Sequence, residues 1–306
     1  MARHLLQRFL LTLPALWLVL TLVFLMIHIV PGDPVEQMLG EGAAPGEITQ
    51  LRHALNLDQP LLVQYGHYLK ELVRGDLGQS FKFQAPVRRI IFERYPATLQ
   101  LAFCALLVCA AIAIPAGVLA AYRRGHAADR AVSLFTLFGL AFPNFALGPV
   151  LILFFSIYLG LLPVSGRGGP SYYILPAATL GAALAAILTR MVRGSMLEEL
   201  SSDYVRTARA KGLPLRAVLF RHAFRNALIP IITILGLQFG TLLAGTIVTE
   251  TIFSWPGIGR LTVQAISARD YPLLQGCILV IAVSYVLVNL LTDILYAVID
   301  PRVRLA

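Results

Sequence analysis

Long stretches without charge alternate along the chain with short stretches dense in Arg and Lys, and the lengths of the apolar stretches set the architecture. Phe9 to Val30 runs for 22 positions whose only ionisable side chain is His28, and Thr98 to Ala121 runs for 24. Ala131 to Val164 spans 34, Ser171 to Thr189 19, Asn226 to Thr249 24 and Leu273 to Thr292 20. An α-helix needs about 20 residues to cross the hydrocarbon core, so each run is long enough for one crossing. The pattern predicts an all-α, polytopic membrane protein with six transmembrane helices. The 34-residue run exceeds one crossing. A helix over about 132–158, kinked at Pro143 and Pro149 and followed by a segment re-emerging near Val164, accounts for it.

The polar remainder divides the chain into a first span with its basic N-terminus (1–30), an external segment (31–97) and a five-helix core (98–306). Within the external segment, Ile48 to Leu55 and Gln64 to Leu72 are predicted short helices. A composition of 58% hydrophobic and 13% charged residues belongs to a chain whose solvent is mostly lipid. The net charge of +9 raises the question of nucleic acid. Yet 15 of the 25 Lys and Arg fall at the termini and in alternate short loops, while the opposite short loops hold only Arg167, Arg260 and Arg269. That asymmetry follows the positive-inside rule, so both termini are expected in the cytoplasm and no nucleic-acid partner is implied. The first apolar run is too long for an ordinary secretory signal and lacks a small-x-small cleavage site, which reads as a retained helix.

No phosphate-binding GxxxxGK[ST], HExxH, GxSxG or Cys/His cluster occurs, so neither catalytic residues nor a metal site is expected. Cys104, Cys109 and Cys277 read as packing residues. Asp293 is the one firm carboxylate inside a span, near its cytoplasmic end, where it pairs or snorkels. Small residues allow close helix contact in lipid. The row Gly236, Gly240 and Ala244 is therefore a candidate for packing between subunits, and Gly181 with Ala185 for packing within the chain. Asn144, Gln238 and Thr241 are polar positions inside spans that are candidates for a translocation pathway. The loop Glu250 to Arg260 carries Phe253 and Trp255 beside a Pro-Gly turn, and these aromatics read as interfacial anchors.

The segment 190–226 is the most informative. Leu197, Leu200, Tyr204 and Ala208 recur at helical spacing, with Glu198, Glu199, Asp203, Arg206 and Arg209 on other faces. Gly212 then supplies a left-handed C-terminal position and Pro214 prevents continuation. A second helix after Pro214 would place Arg221 and Arg225 one turn apart. A capped helix-turn-helix is more than a connecting loop requires, and it points to a docking surface.

This segment resembles the cytoplasmic "EAA" signature of ABC-importer permeases. The form Tyr204-Val-Arg-Thr-Ala-Arg-Ala-Lys-Gly-Leu213 is similar to the first-permease type of the dipeptide, oligopeptide and nickel branch. Pro31-Gly-Asp-Pro34, Gly75-Asp-Leu-Gly78, Thr249-Glu-Thr-Ile-Phe-Ser-Trp-Pro-Gly257, Arg269-Asp-Tyr-Pro272 and Asp300-Pro-Arg302 extend the likeness over the whole chain. One departure is visible: the general signature has an acid six positions before its glycine and Ile-x-Leu-Pro ten after, where this chain has Arg206 and His222-Ala-Phe-Arg225. The resemblance implies a type I importer permease fold in a bacterial inner membrane, importing short peptides. Relatives on this scaffold also carry nickel chelates, glutathione or glycosides. It further implies a second homologous permease, two ATPase subunits that bind ATP and Mg, and an extracytoplasmic substrate-binding protein, with no cofactor in this chain. Tyr204, Arg206, Thr207, Ala208, Gly212, Arg221 and Arg225 would make up the ATPase-coupling segment.

Overall fold

The computed structural model describes residues 2–29, 35, 44–54, 57–141 and 143–299. The motifs at 31–34 and 300–302 lie outside them. The described chain is helical apart from one short hairpin. Helix α1 (Ala2–Ile29) is followed by α2 (Pro45–Ala54) and α3 (Leu61–Val73), then by β1 (Gln79–Ser80) and β2 (Ala85–Pro86). The core comprises α4 (Val87–Tyr122), α5 (Ala127–Ala141), α6 (Asn144–Leu151), α7 (Ser171–Ser201), α8 (Asp203–Ala210), α9 (Arg225–Gly245), α10 (Ile247–Ile252), α11 (Ile258–Ser267) and α12 (Tyr271–Ile299).

Four segments are long and apolar enough to cross a membrane: Val87–Tyr122, Ser171–Ser201, Ala217–Leu243 and Tyr271–Leu295. The α5–α6 region makes a fifth when taken as one crossing, and α1 is apolar over Thr12–Leu25. The helix expected over 132–158 is broken at Pro143, more sharply than the expected kink. Ala127–Ala141 and Phe145–Tyr158 meet at 107°. Pro143 is the cause: its backbone is extended (φ −66°, ψ 131°), and a proline disfavours helical backbone in the residue before it. Past Pro149, which cannot donate a helical hydrogen bond, the chain widens into a π-helical segment, Ile152–Tyr158.

Helix α4 begins well before the apolar run at Thr98, so the expected boundary at 97/98 falls inside it. Val87, Ile90 and Ile91 on its first turns are buried against Ile258, Leu261 and Ala265 of α11 and Leu273 and Cys277 of α12. That cover lets Arg88, Arg89, Glu93 and Arg94 extend the helix beyond the bilayer on the other faces. Its 36 residues reach about 54 Å at 1.5 Å per residue, well beyond a hydrocarbon core of about 30 Å.

Small residues bring α4 and α7 together. A Cβ added to Gly117 would stand 2.6 Å from the Val192 Cβ, and one on Gly181 would stand 2.6 Å from the Ala105 carbonyl oxygen. Gly181 thus packs within the chain, as expected. The Gly236/Gly240 row also faces inward: Gly236 abuts Thr292, and a Cβ at Gly240 would lie 3.4 Å from Tyr285 and Asn289, all on α12. The expectation of subunit packing there is corrected for these two glycines, because α12 occupies their face; the Ala244 side chain lies outside the described residues. Outside the core, α3 seats on α1, with Tyr65 and Tyr68 rings 5.1 and 5.6 Å from Phe24. All three cysteines are free, and Cys109 and Cys277 are buried.

Candidate functional site: a capped docking helix and a buried carboxylate knot

At one end of the bundle α7 gives way to α8 through Ser202, whose extended backbone (φ −70°, ψ 154°) turns the chain. Asp203 in the first turn of α8 and Arg209 in the last both complement the helix dipole. Val205 and Ala208 are buried in a cluster with Val192 and Met196 of α7 and Val218, Leu219 and Ala223 of the next helical segment. Arg206, Thr207 and Arg209 face outward and are exposed. The inner face therefore seats the helix and the outer face is free to meet a partner.

Gly212 closes α8 in the way the sequence predicts. Its φ is +72°, its N–H donates to the Arg209 carbonyl at 3.0 Å, and the Leu213 N–H donates to the Ala208 carbonyl at 3.4 Å. These two bonds form the Schellman arrangement. Nothing lies within 4 Å of a Cβ placed on Gly212, so the glycine is required for its backbone angle rather than for space.

The tyrosine hydroxyl of Tyr204 ties the turn to both flanking helices. It donates to Glu199 near the end of α7 and accepts from the Asn226 side-chain amide of α9 at 2.9 Å. Partial burial and the Glu199 carboxylate push the Tyr204 phenol above its usual value. The second helix starts directly after Pro214, as expected. Residues 215–245 run without a break, starting with a π-helical stretch (Ala217–Phe224) that continues directly into α9. Arg221 and Arg225 are both exposed. They lie four residues apart, about one helical turn, where the π-helical stretch passes into α9. The α8 turn thus connects two spanning helices, α7 and the helix that continues into α9. A groove of about 540 Å³ beside it is lined by Tyr122 of α4, by Arg124 just after it, and by Leu200, Arg209 and Leu213.

The candidate pathway residues differ in their surroundings. Gln238 is 6% exposed and spent on packing: its amide donates to the Leu184 carbonyl at 3.4 Å, and its oxygen accepts from Cys109 at 3.5 Å. The expectation that it lines a pathway is corrected in this conformation, because the α4–α7–α9 contact encloses it. Thr241 is exposed and bonds back to the Gln238 carbonyl at 2.8 Å. Asn144 opens α6, and its side chain lies outside the described residues.

At the opposite end the loop after α9 holds the site that sequence reading missed. Phe253 and Trp255 are not interfacial anchors: they are 1% and 0% exposed. The Trp255 indole donates to the Ala97 carbonyl at 2.9 Å, and Tyr173 packs edge-on at 4.6 Å. At the centre is Glu250, 0% exposed. Its carboxylate accepts from the hydroxyls of Thr98 at 2.6 Å and Thr246 at 3.2 Å, from the Arg260 N–H at 2.9 Å, and from the Gly259 N–H. Burial pushes the Glu250 carboxyl up from its usual value, and the four donors pull against that. Gly257 abuts the carboxylate, and a Cβ on Gly259 would stand 2.7 Å from the Ile247 Cα. The sequence signal was a lone acid among Thr246, Thr249 and Thr251 followed by Gly257 and Gly259; its placement in a polar loop hid it.

Comparison with known proteins agrees with this architecture. Residues 113–305 match the family described as binding-protein-dependent transport system inner membrane component, and residues 1–102 match its N-terminal membrane component. The glutathione transport system permease protein GsiC of Escherichia coli O6:H1 is 44% identical over 304 residues, covering 99% of each chain. The dipeptide transport system permease protein DppB of Escherichia coli K12 is 43% identical, again covering 99% of each. In fold, the chain is similar to an inward-facing structure of the MetNI methionine ABC transporter, with a TM-score of 0.59 at 17% identity over 69% of this chain and 96% of that one. The chain belongs to the family of inner membrane components of binding-protein-dependent transport systems, the permease subunits of ABC importers.

Proposed function

We propose that this permease imports short peptides. It does so with a second homologous permease, two ATPase subunits gripping the segment around α8, and an extracytoplasmic binding protein that delivers substrate. Two relatives of nearly equal identity are named for glutathione and for dipeptides, and both cargoes are short peptides. ATP and Mg belong to the ATPase chains. Both termini and the 190–226 segment face the cytoplasm, in keeping with the distribution of Arg and Lys.

The observation that carries the coupling role is the two-sidedness of α8: Val205 and Ala208 buried, Arg206, Thr207 and Arg209 exposed. Arg206, Arg209, Arg221 and Arg225 offer an acidic partner surface a row of donors. Ala208 acts from inside, as an anchor. Because α8 is joined to α7 by one residue and to α9 by a capped turn, a displacement of α8 by the ATPases passes to two spanning helices together. The outcome is rocking of the spans between openings on the two sides, with Thr241 and Asn144 as candidate contacts for the cargo.

The complete transporter in sealed vesicles tests this reading, by uptake of a dipeptide and of glutathione together with substrate-stimulated ATP hydrolysis. Gly212→Val is expected to leave the complex assembled while uptake per ATP falls several-fold. Wild-type values for both quantities would remove the coupling role. Uptake of nickel chelates with neither peptide transported would overturn the substrate class.

A further inference from the structure

Away from the docking segment, a cleft of about 680 Å³ lies between α5 and α7, lined by Arg130, Leu134 and Leu137 on one side and Thr189, Arg190 and Arg193 on the other. It sits two to three turns before the end of α7, at the same end of the bundle as α8. Most of its polar groups are already satisfied. Arg193 is held in a bidentate pair with Asp129, Nε to Oδ1 at 2.7 Å and Nη2 to Oδ2 at 3.0 Å, and Asp129 also accepts the Gly125 N–H at 2.9 Å. The Thr189 and Thr136 hydroxyls donate to carbonyls of their own helices, Ala185 at 2.6 Å and Ser133 at 2.8 Å.

Two charges remain. Arg130 and Arg190 are exposed on facing helices, and among the described residues neither guanidinium has a hydrogen-bond or acidic partner. The Asp129–Arg193 pair ties together the helices that carry them, and both arginines line the same cleft. Beside them α5 presents Leu134 and Leu137, 56% and 62% exposed. A carboxylate side chain would satisfy the arginines but not the leucines, and a neutral acyl chain would do the reverse.

We propose that this cleft binds an anionic phospholipid, its phosphate between Arg130 and Arg190 and an acyl chain along Leu134 and Leu137. A guanidinium presents paired donors that match phosphate oxygens, and basic pockets between membrane helices on the cytoplasmic side attract anionic headgroups. A zwitterionic headgroup would bring its own cation to a site that already holds two, which sets the preference. The bound lipid would bridge α5 and α7 beside the Asp129–Arg193 pair, on the helix that leads into α8.

The test uses the complete transporter in detergent, offered phosphatidylglycerol and phosphatidylcholine in equal amounts, with retained lipid counted by native mass spectrometry. The wild type is expected to retain phosphatidylglycerol preferentially. The Arg130→Gln/Arg190→Gln double variant should weaken that binding roughly 30-fold, from about 1 kcal/mol for each basic residue at a headgroup. Arg130→Lys/Arg190→Lys should keep most of it, and Arg88→Gln/Arg89→Gln, at the other end of α4, should leave it unchanged. Three results would overturn the site: no preference in the wild type, equal retention in the Gln double variant, or the same loss in the Arg88/Arg89 control. A photo-crosslinker at Leu137 that captures the companion permease in place of lipid would also overturn it, by giving the cleft to a protein.

Discussion

The two ends of the bundle both depend on glycine, for opposite reasons. At the Glu250 knot, Gly257 and Gly259 are needed because a Cβ would collide with a buried carboxylate and with the Ile247 backbone. At the docking turn, Gly212 has open space around it and is needed only for its φ of +72°. The first is a packed interior in which any added atom is felt; the second is an exposed joint in which only the chain direction matters. A substitution at the knot is therefore a stability lesion, whereas one at the turn redirects a helix and leaves the packed core intact.

The largest effect should come from Glu250→Ala. It leaves two hydroxyls and two N–H groups without their acceptor and opens a cavity, for a combined cost of about 3 kcal/mol or more. Thermal unfolding of the purified complex should show a clear fall in Tm; an unchanged Tm would break the contrast between the two ends. Gly257→Ala should come next, at about 1–3 kcal/mol from overpacking. In the double variant with Glu250→Ala the two costs should not add, because the carboxylate that the new methyl strikes is gone. Full additivity would mean that Gly257 acts through something other than Glu250.

At the other end Gly212→Ala should cost about 1 kcal/mol, confined to the turn, since αL backbone is disfavoured for a residue with a Cβ. Tm should barely move while uptake per ATP hydrolysed declines, and Gly212→Asn should restore part of it, because asparagine tolerates this conformation. A Tm loss as large as that of Gly257→Ala would erase the distinction. The smallest effect is expected for Asp203→Asn. Its ion pair with Arg206 is 3.5 Å long and exposed, so removal should change stability by less than about 0.5 kcal/mol.

Much of this was legible from the chain alone, and the reason is that membrane spans and helix caps are local. Charge-free length located the four helices long and apolar enough to cross among the described residues, because a bilayer demands about 20 apolar residues in succession whatever the neighbours are. Gly212 and Pro214 marked the end of α8, because φ > 0 and a missing N–H are properties of single residues. The burial of Ala208 opposite exposed Arg206 and Arg209 followed from helical spacing, but that spacing also put Tyr204 on the inner face, where the structure buries Val205 and leaves Tyr204 exposed. Tertiary structure decided what the loops and small residues were for. Gly236 and Gly240 have the same signature whether they meet a second subunit or α12, and only the position of α12 chose. Phe253, Trp255 and Glu250 lie in a stretch that reads as a surface loop, and they are buried because Thr98, Ala97 and Tyr173 arrive from helices more than 70 residues away in sequence. Hydrophobic pattern reports how each segment meets its solvent; a carboxylate whose solvent is three donors from its own loop and a hydroxyl from distant α4 leaves no trace in that pattern.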